Sequence, residues 1–388
     1  MGFETAAHNL PGDGDLPIAW TVRLCQSVSM RPSDLRFLLA WLLPLLGIYS
    51  VTATPTITAL GTLGIWWGVV LLDAVLPDGH RSPAPRVTAA PPAYFRLVLR
   101  SYVVLHLALI GAGCLAAARA DWLVVAGIAF TVGFVTGSQG ITFAHELGHS
   151  KSRLDRALAW VLMTSVCYGH FMVEHYRGHH PRAATLEDPA SARFGESLYR
   201  FLPRTLAGSF ASGWRLEAQR LRQFRSTWWR SPLAWSSVVS VLMLAMPVLF
   251  WPAATALKVA AFLAAQSIVA FLLLEVVNYI EHYGLQRATI GEGAKARREA
   301  FGIAHAWNAD HLVSNSMLAN LQRHSDHHMH AWKPYPALAL LPGPQLPAGY
   351  PGCIALALVP PLWFSVIHPR LQSMKQSSEA GMNAGASA

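Results

Sequence analysis

The run from Trp122 to His149, WLVVAGIAFTVGFVTGSQGITFAHELGH, decides how this chain folds. Its first twenty-three residues, up to Ala144, carry no ionisable side chain. That matches the ~20 apolar residues an α-helix needs to cross a hydrocarbon core of about 30 Å. Immediately beyond come His145 and His149, four residues apart and therefore one turn apart on one face if the helix continues. A span that opens directly onto paired imidazoles predicts a membrane helix with a metal site at one end.

The rest of the chain repeats the first half of that pattern. At 388 residues, 53% hydrophobic and 13% charged, with a mean hydropathy of +0.33, it is too apolar for an ordinary soluble domain. Five more stretches have spanning length: Leu35–Val51, Thr58–Leu76, Leu97–Ala118, Leu233–Trp251 and Ala256–Ile280. Pro44 in the first removes one backbone hydrogen bond, which neighbouring helices compensate. Two other apolar stretches make poorer spans: Leu158–Val173 is interrupted by Thr164, Ser165, Gly169 and His170, and Ile354–Ile367 carries Pro360 and Pro361. The expected fold is all-α and polytopic, with six transmembrane helices and a cytoplasmic histidine-rich cap holding a two-metal site. Its parts are an N-terminal cytoplasmic segment, 1–34, a six-helix membrane domain, 35–370, and a tail rich in Ser, Ala and Gly, 371–388, expected to be disordered.

Lysine and arginine set the orientation, because cytoplasmic segments hold the positive excess. Residues 145–232 carry thirteen of the thirty, whereas the links 119–121 and 252–255 carry one between them. Both termini and the long loop are therefore expected in the cytoplasm, with the protein multi-pass in the inner (cytoplasmic) membrane. Six spans also put every clustered histidine on that side; five or seven would split them. The net charge of +9 does not indicate nucleic acid, since the arginines are juxtamembrane and no basic stripe interleaves with aromatics. Anionic membrane lipid accounts for it, and an acidic protein docking on the cytoplasmic face is the sharper alternative. Cys25, Cys114, Cys167 and Cys353 form no CxxC, so neither disulfides nor a thiolate cluster are expected. The first 35 residues show no apolar core of a cleavable signal.

Nine of the seventeen histidines fall in four groups. His145 and His149 form H-E-x-x-H, which taken alone is also the zinc-protease motif with Glu146 as general base. Glu174-His175-Tyr176-Arg177-Gly178-His179-His180 offers nitrogens at i, i+4 and i+5. On a regular helix His179 points with His175, and His180 is turned away by about 100°, so one segment serves two metals. His324, His327 and His328 repeat that logic, and His282 stands alone at the end of the sixth span beside Glu281. His106 is expected to be hydrogen-bonded within the bundle, and the remaining histidines lack a partner at ligand spacing or flank a cluster. Nine imidazoles exceed what one ion takes, so two metals are implied, although imidazole suits Zn, Cu, Fe and Ni alike.

These blocks, in this order, resemble the AlkB-type membrane alkane 1-monooxygenases, within the wider histidine-rich di-iron hydroxylase and desaturase superfamily. The resemblance rests on HELGH at 145–149, EHYRGHH at 174–180 with EDPAS at 187–191, NYIEHYGLQR at 278–287 and LQRHSDHH at 321–328. AWN at 306–308 and LPAGYPG at 346–352 extend it, so that it covers roughly residues 35 to 370. It implies a non-haem di-iron centre, two Fe ions held by His145, His149, His175, His179, His180, His282, His324, His327 and His328. With O2 as co-substrate, such a centre hydroxylates the terminal methyl of an n-alkane to a primary alcohol. The oxidant is then metal-centred, and no side chain is itself catalytic. Electrons in that family come from rubredoxin, reduced by an NAD(P)H-dependent rubredoxin reductase. The chain has neither a G-x-G-x-x-G fingerprint nor a cysteine cluster, so an external donor is required on chemical grounds too. Docking of an acidic rubredoxin is expected along Arg193–Arg230. The chain departs from the family pattern at Ser150, commonly lysine, at Tyr176, commonly asparagine, and after His328, where further arginines are usual.

Glu146, Glu174, Asp188, Glu281 and Asp326 are expected to orient the imidazoles through their second nitrogens. The alkane is expected to come from the lipid and lie in an apolar channel within the bundle, with Trp66 and Trp67 limiting its length. Hydroxylation of an aromatic methyl or a fatty acyl chain, or desaturation, is the alternative within the superfamily. A zinc protease using His145, Glu146 and His149 is a remote one, since it leaves the other seven histidines idle. A metal transporter would want ionisable residues near mid-span, and the chain has almost none there.

Overall fold

The structure is a computed structural model that describes residues 31–76, 93–291 and 296–386. Nearly all of the expected N-terminal segment, with His8, Cys25 and His80, lies outside these residues. Among the described residues six helices are long and apolar enough to cross a membrane: Pro32–Ala53, Pro55–Val75, Ala93–Arg119, Trp122–His149, Pro232–Leu249 and Ala253–His282. They coincide with the six expected spans and run a few residues further at most ends. Proline opens three of them, where its missing N–H costs nothing. Asp121 caps the fourth span and Ser231 the fifth, accepting from Val124 N–H at 2.9 Å and Ala234 N–H at 3.1 Å.

The fourth span is the centre of the bundle, with 67% of its apolar window buried, against 17% for the second. Glycine lets it press against the sixth span. A Cβ at Gly133 would lie 2.5 Å from the Gln266 carbonyl, and one at Gly137 would lie 2.7 Å from Ala270 Cα. In the middle of this contact the fourth helix widens into one π turn, Thr136–Gly140, closed by Ile141 N–H on the Thr136 carbonyl. The side chains of that turn bind across the packing: Thr136 Oγ1 donates to Gln266 Oε1 at 3.2 Å, and Gln139 Nε2 to the Met317 carbonyl at 3.1 Å. Single π turns inside α-helices recur at functional sites. This one sits just below His145.

Most of the described chain between His149 and Pro232, and from Tyr283 onward, builds a cap over one end of the bundle. Leu158–Val173 does not cross: helix Arg153–Ser165 stops before Cys167, whose φ is +54°, and the chain turns back. His106 reaches this helix, its Nε2 2.8 Å from Ser165 Oγ. A long helix, Leu198–Gln223, lies in the cap, and Thr289–Ile290 pairs antiparallel with Arg297–Arg298. The last helix, Pro360–Ala386, runs through most of the segment expected to be a disordered tail. Its apolar start explains the difference, since Trp363, Ile367 and Leu371 are buried in one cluster with Tyr279 and Tyr283 of the sixth span and its end.

Candidate metal centre

The nine histidines meet where the fourth and sixth spans end, and they meet in two groups. His145, His149, His175, His180 and His327 form one, and His179, His282, His324 and His328 the other. Within each group the nitrogens on offer all lie within 4.8 Å of one another. The groups touch along a seam, where the His180 and His328 rings are 4.4 Å apart. Ring nitrogens face ring nitrogens: His175 Nε2 is 3.0 Å from His180 Nε2, and His324 Nε2 is 3.0 Å from His328 Nε2 and 3.3 Å from His282 Nε2. The Nε2 atoms of His145, His149 and His179, and both ring nitrogens of His327, are buried with no hydrogen-bond partner. Buried polar atoms are nearly always satisfied. Bare imidazole nitrogens converging in fives and fours therefore fit a metal-ligand set, and one sized for two ions. Burial, and then mutual repulsion, holds His175, His180, His324, His327 and His328 well below the ordinary histidine range. They are thus neutral, the form that binds metal.

Local backbone decides which histidine joins which group. The chain from His175 to His179 forms a π turn, closed by His180 N–H on the His175 carbonyl. With an extra residue in the turn, i and i+5 share a face. His175 therefore pairs with His180 while His179 turns to the other group, the reverse of the assignment expected from regular helical spacing. Gly178 leaves room beside this turn for the Glu174 carboxylate and the Arg182 guanidinium, which pair at 2.6 Å where a Cβ would overlap them. In helix His324–Met329 the regular period holds: His324 and His328 share one group and His327 faces the other. His282 closes the sixth span, with Nδ1 donating to the His305 carbonyl at 3.2 Å.

The five expected carboxylates divide. Asp188 Oδ2 accepts from His179 Nδ1 at 2.8 Å and from Ser191 Oγ at 2.6 Å. Burial would lower His179, but Asp188 raises it, and burial would raise Asp188, but His179 and Ser191 hold it low. Glu281 Oε1 lies 3.3 Å from His324 Nδ1, off the hydrogen-bonding direction, and accepts from Tyr350 OH at 2.7 Å. The other three bind elsewhere, correcting the expectation. Glu146 accepts from Tyr335 N–H at 2.9 Å, and Glu174 from Arg182. Asp326 accepts from His330, Lys333 and Ala339 N–H, at 2.6, 2.7 and 2.8 Å. Glu174 and Asp326 thus tie the cap to itself and Glu146 ties it to the fourth span, because each carboxylate points away from the ring beside it in sequence. Sequence reasoning missed Phe171, stacked on His175 at 4.7 Å, and Phe301, stacked on His328 at 4.7 Å. It also missed buried Glu275, which accepts from Tyr168 OH and Thr205 Oγ1, both at 2.7 Å. No spacing signal marks any of them.

Below the histidines the bundle is hollow. A cavity of about 390 Å³ has His145, His175 and His324 in its wall, together with Ser138, Thr142, Val277 and Leu321. Those last four also line a second cavity, about 630 Å³, whose other walls include Leu43, Ile65, Val69, Phe134, Leu273 and Ile354. The two share these walls, the first touching the histidines and the second, mainly apolar, lying in the membrane domain. Trp66 lines it, with its indole N–H donating to the Pro351 carbonyl at 3.1 Å and its ring 6.0 Å from Phe134. Trp67 does not. It is 55% exposed on the outside of the bundle, because consecutive residues of a helix point about 100° apart.

The family model described as fatty acid desaturase matches residues 120–356, the stretch that carries all nine histidines. Alkane 1-monooxygenase 2 of Pseudomonas aeruginosa is 39% identical, over 82% of this chain and 85% of its own length. The alkane 1-monooxygenase of Pseudomonas putida is 36% identical, over 84% and 82%. The chain belongs to the alkane 1-monooxygenase family. A further relative of the family, the xylene/toluene monooxygenase hydroxylase component of Pseudomonas putida, is 26% identical over 83% of this chain and 88% of its own.

Two of this chain's departures from the alkane monooxygenase pattern have structural partners. Ser150 Oγ donates to Asp155 Oδ2 at 2.7 Å, and Asp155 in turn pairs with Arg100 of the third span at 2.7 Å. Tyr176 donates to the His145 carbonyl at 3.0 Å, reaching it over Gly148, where any Cβ would collide with the phenol. Both fix the end of the fourth span without removing a histidine.

Proposed function

We propose that this chain hydroxylates the terminal methyl of n-alkanes to primary alcohols with O2. Two iron ions would be held by His145, His149, His175, His180 and His327, and by His179, His282, His324 and His328. The observation that carries the reading is a pair of adjoining cavities, one mainly apolar in the membrane domain and one walled by His145, His175 and His324, members of both histidine groups. A metal pair bound there supplies the oxidant that a methyl C–H bond demands, since such a carbon offers neither an acidic proton nor an electrophilic centre. The chain's own residues do the rest. Leu43, Val69, Leu273 and Ile354 bind the substrate by burial, about 0.8 kcal/mol per methylene, which suffices for a molecule with no polar handle. Val277 and Leu321, lining both cavities, aim its end at the seam, and Asp188 holds the His179 ring in one orientation.

Electrons are proposed to come from rubredoxin and its NAD(P)H-dependent reductase, with the cap on the cytoplasmic side of the inner membrane. The positive-charge asymmetry of 145–232 supports that orientation. The test is metal analysis of purified protein, followed by O2-dependent oxidation of octane and hexadecane with rubredoxin and reductase added. Two irons per chain and primary alcohols are expected. A single zinc, or no O2-dependent product, overturns the reading. The similarity to the xylene/toluene component favours, as a second reading, a methyl on an aromatic ring; p-xylene in the same assay separates the two.

A further inference from the structure

Beyond Trp66 and Phe134 the lining of the bundle changes character. Leu43, Ile65 and Phe134 line the apolar cavity and also a cleft of about 700 Å³ between the first, second and fourth spans. Hydroxyls of Ser50, Thr54, Thr62 and Thr131 stand in its wall. Ser50 Oγ donates to Thr58 Oγ1 at 2.7 Å, and Thr58 Oγ1 to Thr131 Oγ1 at 3.1 Å. Thr62 Oγ1 donates toward Thr131 Oγ1 at 2.8 Å and the Thr58 carbonyl at 3.0 Å, and Thr54 Oγ1 donates to the Ser50 carbonyl at 3.2 Å. A hydroxyl has one hydrogen and two acceptor lone pairs. Thr62 has one hydrogen for two acceptors: either it serves Thr131 and the Thr131 hydrogen is spare, or it serves the Thr58 carbonyl and Thr131 donates to Thr62. In both arrangements Ser50, Thr54 and Thr62 keep lone pairs, and Thr131 keeps either a hydrogen or a lone pair.

A hydrocarbon end gains nothing from such a wall, since no alkane atom hydrogen-bonds. A group that both accepts and donates does gain, and the smallest such group on an aliphatic chain is a primary hydroxyl. The length also fits. Thr131 and His145 are fourteen residues apart on the fourth span, about 20 Å at 1.5 Å per residue, within reach of an extended tetradecyl chain.

We propose that the cleft binds the hydroxyl end of a long-chain primary alcohol whose methyl end lies at the histidines, so that the protein also converts 1-alkanols to α,ω-diols. The inference rests on the methyl-hydroxylating reading above. In the reaction HO–R–CH3, O2, two electrons and two protons give HO–R–CH2OH and water. One C–H bond breaks, one C–O bond forms, the second oxygen atom leaves as water, and the electrons come from the iron–sulfur donor already named.

The test compares tetradecane with tetradecan-1-ol in wild-type, Thr62→Val, Thr131→Val and Thr131→Ser protein, with donor and reductase supplied and products identified by mass. Wild type is expected to form the diol. Each valine variant is expected to lower the ratio of alkanol to alkane turnover about tenfold, the worth of one hydrogen bond, and Thr131→Ser to restore it. An unchanged ratio in both valine variants overturns the proposal, as does a wild-type enzyme that oxidises tetradecane but not the alcohol. Should the valine variants fail to fold, the methyl ether of tetradecan-1-ol, which cannot donate, decides on wild type: about tenfold poorer oxidation at the far carbon than for the alcohol supports the site, and equal oxidation overturns it. Wild-type protein inactive on every substrate removes the oxygenase reading and this one with it.

Discussion

At the scale of single residues, the carboxylates separate what touches a proposed ligand from what merely neighbours one in sequence. Asp188→Asn keeps the shape beside His179 but removes the charge, and it is expected to weaken metal binding about 10–100-fold, read by chelator competition. Glu146→Gln, whose partner is Tyr335 N–H, is expected to leave metal content as it is. All five acids were legible as candidates because each lies near a histidine in the chain. Which of them reaches a ring was not, since that depends on rotamers and on a loop, 183–191, that folds back under the π turn. The two tryptophans differ in the same way. Trp66→Ser is expected to loosen the packing on Phe134 and shift products toward longer chains, while Trp67→Ser, on the outer surface, leaves the distribution unchanged. Chromatography of products from mixed alkanes checks both.

At the scale of elements, the π turn His175–His179 sorts the ligands, and Gly178 leaves room beside it for the Glu174–Arg182 pair. Gly178→Ala is expected to cut bound metal to half or less while leaving the far-ultraviolet circular dichroism of the bundle intact. The histidines were legible from their spacing, but their division between groups was not, because a 3.6-residue period is the only one that spacing alone suggests. The ties around helix Leu198–Gln223 predict an acid response. Arg204 pairs with Glu196 at 2.8 Å and also donates to the Pro189 and Ser191 carbonyls, at 3.0 and 3.1 Å, bracing the Asp188 loop. Burial would raise Glu196, but the Arg204 hydrogen bonds hold it below the ordinary carboxylate range. A depressed carboxylate binds fewer protons folded than unfolded, so its contribution is present above the unfolded value of about 4.3 and fades as pH falls through the lower folded one. Thermal midpoints of wild type and Glu196→Gln are expected to converge on acidification; parallel curves would refute the role given to this pair.

At the scale of the whole molecule, the six spans were legible because length and apolarity alone dictate a membrane helix, whereas the cap, held by buried polar contacts distant in sequence, was not. Arg323–Asp310 at 2.8 Å and Asn308 Nδ2–Ser325 Oγ at 2.8 Å are such contacts, and no local pattern announces them. Because the histidines come from four segments, metal is expected to staple cap to bundle, and chelation to lower the thermal midpoint of the protein in detergent. The bundle itself is unevenly held. Fourth and sixth spans touch backbone to backbone at Gly133 and Gly137, but the second span is fastened by few polar contacts, among them Thr58 to Ser50 and Thr131, Thr62 to Thr131, Trp66 to Pro351, and Asp73 to Ser314 N–H at 3.2 Å. Amide hydrogen exchange should therefore be fastest in the second span and slowest in the fourth. An outward swing of so lightly buried a helix would break few contacts, and a hydrocarbon dissolved in the bilayer would then need no permanent doorway.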